Sequence, residues 1–552
     1  MPNAIAMSKS ALATALAEAP LNTFDRLGRV GLPDGGIGSL TERNWDAVVV
    51  GGGHNGLAAA AYLARAGRSV VVLERRERLG GACTLERPFT DERFVMSPCA
   101  YLVGLLHPLV LGELDLPRYG YRTFVADPTQ WTPFEDGTSF TQWLDTSRTR
   151  AEVERISPTD VDGFFAYEAI FDRIKAALRT GARDTWVGEA PTRADLEELL
   201  GEDADAREVV LGGASIAVVI ERHVGDERLR AALHGQGIIG TRAGPRDPGT
   251  AWIHALHSLG LIGGWSYVEG GMGRVSFCIA DAAHDAGAVI AAGVPVAAIE
   301  PGAGVVLEGG ERIRARAVVS NADPVRTLAL CADADVPVEF RARVDRWDCE
   351  SPVVKVNCAL SRLPTFVAAP QRPEHVYRAQ VEIGRSIDHT QAAFERYQRG
   401  EPAVEWCEVY FHTPYDPSVA PPGRHTMSVF AQYAPYSLAD GDWGTRRDEI
   451  GDLALAAIER FAPDVFECVD EREVLGPPDV EARIGLTGGH IFQGECLPDQ
   501  MWDRRFAPRT PVPGLYLCGA ATHPGGSVIG INGRNAAMAV LADLGAGGIM
   551  GS

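Results

Sequence analysis

The chain has 552 residues, 46% of them apolar and 23% charged, with a formal net charge of −21 and ten cysteines. That length exceeds what one simple core serves and predicts two intimate domains. No apolar run reaches the ~18 residues of a spanning helix, and an acidic chain without a basic cluster excludes nucleic acid and strongly anionic surfaces as natural partners.

The cysteines are scattered, with no C-x-x-C, so neither a zinc knuckle nor a disulfide framework is expected, and free thiols suit a reducing cytoplasm. Only three of the 52 basic residues are lysines, Lys9, Lys175 and Lys355, which makes an internal lysine informative.

Residues 1–43 form an N-terminal extension. Ile5 to Ala19 is alanine-rich and predicts a short helix, ended by Pro20 and the Gly35-Gly36 pair. It lacks the basic start and solid apolar core of a secretory leader, and Glu18 and Asp25 weigh against a transit peptide. A surface or partner-docking arm is expected.

The organising stretch follows, from Asp46 to Ala82. An apolar, β-branched run leads into Gly51-Gly52-Gly53-His54-Asn55-Gly56, then an Ala/Leu-rich helix to Gly67, then Ser69-Val-Val-Val-Leu-Glu74. This is a β-α-β unit with a glycine fingerprint in its first turn. Gly51 permits the tight turn, Gly53 lets a diphosphate approach the backbone, and Gly56 lets helix and strand lie close. The helix N-terminus turns free N–H groups toward the phosphates. Glu74 closes the second strand at about the 20-residue spacing from which an acid reaches ribose hydroxyls. An acid there disfavours a 2′-phosphate, so FAD or NAD is expected rather than NADP.

Leu79-Gly80-Gly81-Ala82 comes next, and with Gly51 to Gly56 and Glu74 it resembles the FAD fingerprint of flavoproteins with the glutathione-reductase type of nucleotide fold. Three further segments narrow the resemblance: Ser97-Pro98-Cys99-Ala100-Tyr101-Leu102; Gly240 to Pro245 with Pro248-Gly249-Thr250-Ala251; and Gly488-Gly489-His490-Ile491-Phe492-Gln493-Gly494 with Asp499-Gln500. Together they resemble the phytoene-desaturase-like branch, and within it the pyridine nucleotide-disulphide oxidoreductase domain-containing relatives. The resemblance implies FAD contacts at Gly51, Gly53, Asn55, Gly56, Glu74, Arg75, Gly80, Gly81 and Ala82. It does not imply dithiol chemistry: Cys83 has no neighbouring resolving cysteine, the next being Cys99, so Cys83 is expected to pack.

Asp127 to Gly137 holds turn residues and opens a second domain. Helical spacing is predicted over Asp160 to Thr180, Arg193 to Leu200 and Ala206 to Val219, with apolar stripes expected in a core. In the resembled branch such helices cap a greasy cavity, which implies a lipophilic substrate. His254 and His257 share a helical face after the Pro248-Gly249-Thr250 turn. That spacing suits two metal ligands, but no third is near, so no metal is expected. Gly273 then opens a helix that ends at Gly287. The resemblance places Val296 at the adenine end of the cofactor, and Ala317 to Ala322 as a strand returning to the FAD domain.

Ser351 to Leu360 alternates, with Lys355 and Asn357 on one face and Val354, Val356, Cys358 and Leu360 on the other. Lys355 either reaches solvent or lines a polar cavity. In amine-oxidase-like flavoproteins a lysine on such a strand holds a water at the flavin, and the resemblance extends that role to Lys355. The last cofactor element runs from Pro513 through Gly519 to Ser527-Val528-Ile529-Gly530 and into a helix. The resemblance places Gly519, Ser527, Val528 and Ile529 at the flavin. His523, within that turn, is the first candidate proton acceptor and Lys355 the second, although each is expected to orient or pack rather than to act as base. Flavoproteins of this wider class often carry an acid after the strand-end glycine; here it is Ala520.

One complete dinucleotide fingerprint is visible, so no separate NAD(P)H domain is expected; the flavin would be reoxidised by oxygen, a quinone or a partner. The expected fold is α/β: a glutathione-reductase-type FAD-binding Rossmann domain from 44–126, 270–335 and 480–545, interwoven with an α+β substrate domain from 127–269 and 336–479. The expected function is an FAD-dependent dehydrogenase or desaturase taking hydride from a lipophilic substrate, with peripheral membrane contact compatible with such a substrate. An amine oxidase is the alternative and would need an aromatic cage, which the sequence does not display. A non-catalytic FAD-binding interaction protein is the third reading.

Overall fold

The computed structural model describes residues 27–181, 183–261 and 264–546. The alanine-rich segment from Ile5 to Ala19 lies outside them. Two seven-stranded sheets organise the molecule, each drawn from separated parts of the chain.

The first sheet centres on strand Asn44–Val50, which pairs in parallel with Val70–Glu74 on one side and Arg312–Ser320 on the other. Val289–Ala292 extends the Val70–Glu74 side in parallel, and Leu515–Leu517 pairs in parallel with the end of Arg312–Ser320. Gly304–Leu307 and Val296–Glu300 complete the sheet as an antiparallel ribbon. A parallel sheet needs cover on both faces, and alternate residues provide it. Ala47 and Val49 enter a core with helix His54–Arg65, while Val48 and Val50 enter a second core on the opposite face. That second core continues through Phe340, Val344 and Trp347. Helices Gly273–Asp285 and Ile531–Ala546 pack on His54–Arg65. The approach is close: a Cβ on Gly533 would lie 2.1 Å from the Asn55 carbonyl oxygen, so only glycine lets the last helix settle there.

The second sheet runs Val469–Leu475, Val353–Leu360, His425–Gln432, Trp406–Phe411, Gln380–Ile383, Gln130–Pro133, Ser139–Gln142. It is antiparallel except where Gln380–Ile383 meets Gln130–Pro133. Its two faces differ sharply. Val354, Val356, Cys358 and Leu360 join Val409, Met427 and Val429 in an apolar core beneath helix Trp443–Glu459, as their alternation predicts. The other face is buried yet polar: the register sets Lys355, Phe430, Glu408 and Glu382 in one row across four strands.

Among the described residues, seven α-helices between Thr146 and Ser258 cap this face, from Thr146–Ile156 through Val161–Lys175 to Thr250–Ser258. Phe164, Ile170, Phe171, Ile174 and Leu178 are buried, as the stripe predicts. The single helix expected over Ala206 to Val219 is instead two, Ala204–Val210 and Ile216–His223. Gly213 at φ 74° breaks the run, and the Ser215 hydroxyl caps the second helix by accepting from Val218 N–H. Among the described residues no helix is long and apolar enough to cross a membrane.

Candidate functional site

Two adjoining cavities lie where the parallel strands end. The first is a cradle built mainly of backbone. Gly51 turns off its strand at φ 101°. Gly53 caps helix His54–Arg65 and lines the cradle with Asn55, so the first-turn N–H groups, which have no intrahelical acceptor, face it. Gly56 sits against the turn itself: a Cβ there would lie 2.3 Å from the Gly51 carbonyl oxygen. A second glycine turn braces the first, with Gly80 N–H donating to Gly52 O at 2.8 Å and Gly81 close to Gly53.

Glu74 lies at the cradle's edge and accepts from Gly52 N–H at 2.7 Å and Arg76 N–H at 2.9 Å. Burial raises its carboxyl above the usual range, against the pull of those two donors. Gly80, Gly81, Ala82, Arg75 and Val296 also line the cradle. The Arg75 guanidinium donates to the carbonyls of Ala482 and Arg483. The Asn55 side-chain oxygen is buried and has no hydrogen-bond partner. A dinucleotide fits this set: bare backbone and a helix N-terminus for the diphosphate, an acid for ribose, an apolar edge at Val296.

The second cavity shares His54, Ala82, Leu486, Ile491 and Ala520 with the cradle, so the two are continuous. Ser527 and Val528 line it in left-handed backbone, at φ 87° and 50°. For a β-branched valine that conformation is strained, and such strain gathers at ligand sites. Much of the rest of its wall is apolar and aromatic. Tyr101, Tyr410, Phe430, Trp265 and Phe492 converge from separate segments, with Tyr101 stacked on Tyr410 at 4.6 Å between ring centroids. The aromatic cluster absent from the sequence reading is thus present in three dimensions.

Polar groups converge on this cavity from the sheet. Lys355 lines it, with its ammonium 4.7 Å from the Tyr101 ring centroid and hydrogen-bonded to the Ser428 hydroxyl. Burial pulls its amine down to about 7. Of the two readings of this lysine, cavity wall rather than solvent is the one observed. Glu408 receives four donors: Tyr410 O–H at 2.7 Å, Tyr101 O–H at 3.3 Å, Gln236 at 2.9 Å and Gln380 at 2.7 Å. Burial still pushes its carboxyl up to about 7.

Other expected site residues are placed differently. His523 lines neither cavity; it is buried, and its Nε2 donates to the Thr185 carbonyl at 2.6 Å. Burial lowers it to about 4. A neutral ring tied to a backbone carbonyl outside the cavity anchors the turn; it is not placed to take a substrate proton. Ile529 is likewise buried in the core, with its carbonyl accepting from His107 N–H. Gly519 backs onto the cradle, where a Cβ would lie 2.4 Å from Gln493 Oε1.

Cys83 is buried, its thiol pushed up to about 12, and donates to the Met272 carbonyl, which is the packing role expected. His254 stacks near Phe171, while His257 lines the second cavity and bonds to the Ile253 carbonyl. Among the described residues no three His, Cys, Asp or Glu side chains are grouped to hold a metal.

Sequence reading missed His54 at the junction, Asn321 and Gln493 in the cradle, and Glu408 with its donors. His54 sits inside the fingerprint and was open to notice. Glu408 carries little local signal, since apart from Tyr410 its partners Tyr101, Gln236 and Gln380 come from separate segments of the chain.

Comparison with known proteins agrees with this geometry. Residues 56–541 match the family described as flavin containing amine oxidoreductase. The pyridine nucleotide-disulfide oxidoreductase domain-containing protein 2 of Rattus norvegicus is 34% identical, covering 98% of this chain and 100% of its own. A neurosporene-forming phytoene desaturase of Rhodobacter capsulatus is 28% identical over 89% of this chain and 93% of its own. The solved structure of a putrescine oxidase variant shares the fold, with a TM-score of 0.54 at 17% identity, over 91% of this chain and 99% of that one. The chain therefore belongs to the flavin containing amine oxidoreductase family and is a flavin-dependent oxidoreductase.

Proposed function

We propose that the chain binds FAD along the cradle and oxidises a C–H bond of a mainly apolar substrate held in the second cavity. The observation that carries this reading is the continuity of the two cavities at His54, Ala82, Leu486, Ile491 and Ala520. A dinucleotide laid in the cradle can extend through this junction into the aromatic chamber.

The holding residues follow from the fit. Gly51, Gly53, Asn55, Gly56 and the following N–H groups receive the diphosphate; Glu74 takes ribose hydroxyls; Val296 flanks the adenine end. Ser527 and Val528 present strained backbone at the other end, where helix Ile531–Ala546 begins. When bound, the flavin supplies a hydride acceptor.

The chain's own residues then position and enclose. Tyr101, Tyr410, Phe430 and Phe492 form flat apolar walls that orient a substrate and exclude water. Lys355 Nζ, near neutrality at physiological pH, holds or passes a proton through the Ser428 hydroxyl. The 28% similarity to a phytoene desaturase supports a lipophilic substrate. Reoxidation by oxygen, a quinone or a partner protein fits the single fingerprint.

A second reading, amine oxidation, draws on the same aromatic walls, which also suit an amine carbon. One experiment separates the two. The purified protein, with its flavin band at about 450 nm, is mixed anaerobically with polyenes, terpenoids and amines in turn. Bleaching by an apolar hydrocarbon is expected. Bleaching by amines alone shifts the reading to amine oxidation, and FAD that none of them reduces supports a binding protein without turnover.

A further inference from the structure

The parallel strand Leu515–Leu517 ends in Gly519 and Ala520, one without a side chain and one with a methyl group. The strand end that borders both cavities thus offers a ligand no polar side chain of its own. Gln493, from a different segment, fills that place. It lines the cradle, and a Cβ on Gly519 would lie 2.4 Å from its Oε1. Its Oε1 accepts from Ala521 N–H at 3.1 Å, and its Nε2 donates to the Asn321 carbonyl at 3.2 Å. One side chain thereby ties together the ends of strands Arg312–Ser320 and Leu515–Leu517. A primary amide has two N–H groups and two acceptor sites, so one of each remains beyond these two bonds.

The backbone makes the placement deliberate. Gln493 has φ 54°, the left-handed region that costs a non-glycine residue of order 1 kcal/mol or more. Neighbours hold it there from both sides. Trp347 Nε1 donates to the Gln493 carbonyl at 2.9 Å, and the buried Arg505 guanidinium donates to the Phe492 carbonyl at 2.7 Å. Glycine follows at 494, so the strain is borne by the residue whose side chain is needed. A carboxylate in this position could not donate to the Asn321 carbonyl and would set a negative charge in a cradle shaped for a diphosphate.

We propose that Gln493 is a cofactor-holding residue, whose neutral carboxamide bridges the two strand ends and gives its free N–H to an oxygen of the bound dinucleotide. The inference rests on the reading that FAD occupies the cradle.

The test is FAD uptake by the full-length apoprotein, followed by flavin fluorescence, with apoprotein unfolding followed by circular dichroism. Gln493→Ala is expected to weaken FAD binding about tenfold, the worth of one or two hydrogen bonds. Gln493→Gly removes the amide and relaxes the backbone; it is expected to leave the apoprotein as stable as wild type or more so while still losing about tenfold in FAD affinity. Gln493→Glu is expected to bind more weakly than Gln493→Ala at pH 8, where its carboxylate has no proton to donate. Wild-type affinity in Gln493→Gly, or Gln493→Glu binding as tightly as wild type at pH 8, overturns the assignment while FAD binding by the wild type stands. Wild-type protein that takes up no FAD overturns both this inference and the parent reading.

Discussion

The two cavities are built by opposite means. The cradle is made mainly of backbone: glycine turns and a helix N-terminus, with the acid Glu74 supplied by the adjacent strand. The chamber beside it is made of side chains, brought from strands Val353–Leu360, Trp406–Phe411 and Gln380–Ile383, from Tyr101 and from the helical cap. A backbone site depends on omission, because a Cβ on Gly56 or Gly80 would lie 2.3 or 2.2 Å from a backbone oxygen. A side-chain site depends on mutual satisfaction, because Glu408, Tyr410 and Gln380 are buried, with Tyr101 and Gln236 partly so, and the buried groups would be costly alone. The first recognises what all members of a cofactor class share; the second is free to vary with the substrate.

The sharpest break in this contrast comes at Gly56. A Cβ there meets a backbone oxygen at 2.3 Å, and backbone cannot yield as a side-chain end can. Gly56→Val is expected to abolish FAD uptake and to destabilise the protein by about 3 kcal/mol, at the upper end of overpacking costs. Equilibrium unfolding and flavin absorbance measure both. Retained FAD with normal stability would show that the cradle is not backbone-limited.

The same contrast explains what the sequence disclosed. The β-α-β unit was legible because Gly51, Gly53, Gly56 and Glu74 lie within one short stretch and their geometry is local. The alternation around Lys355 predicted which residues share a face, and the sheet kept it. The sequence could not say what that face looks upon, since Tyr101, Glu408 and Gln236 reach it only through tertiary pairing. His523 shows the same limit. Nearness in sequence to the flavin-side turn suggested nearness to the reacting atoms, but its ring points to the Thr185 carbonyl on the helical cap.

Lys355 gives a pH-dependent test confined to the chamber. Its folded-state value is depressed to about 7 by burial, whereas an unfolded lysine titrates at about 10.4. Between those values the unfolded chain binds a proton that the folded chain does not, so this residue makes stability rise with pH. Below about 7 both states are protonated and the buried charge weighs fully against the fold. Wild type should therefore gain on Lys355→Met by of order 2–4 kcal/mol between pH 7 and pH 10, read as the difference between paired urea titrations. The cradle, held by backbone, should keep its FAD in the variant. A pH-independent difference would place the lysine in contact with water rather than in the chamber.

The smallest effect is expected at His523, and its smallness is informative. The residue lies in the last glycine-rich turn but outside both cavities, and the single hydrogen bond of its ring fastens that turn to the cap. A glutamine side chain at this position would keep a donor within reach of the Thr185 carbonyl, so His523→Gln should cost no more than about 1 kcal/mol. The rate of anaerobic flavin reduction should change less than about twofold, since the imidazole neither faces the substrate chamber nor holds a proton at neutral pH. A hundredfold slowing, with FAD still bound and the fold intact, would put an acid–base group behind the turn. The division between a backbone cradle and a side-chain chamber would then have to admit a third layer.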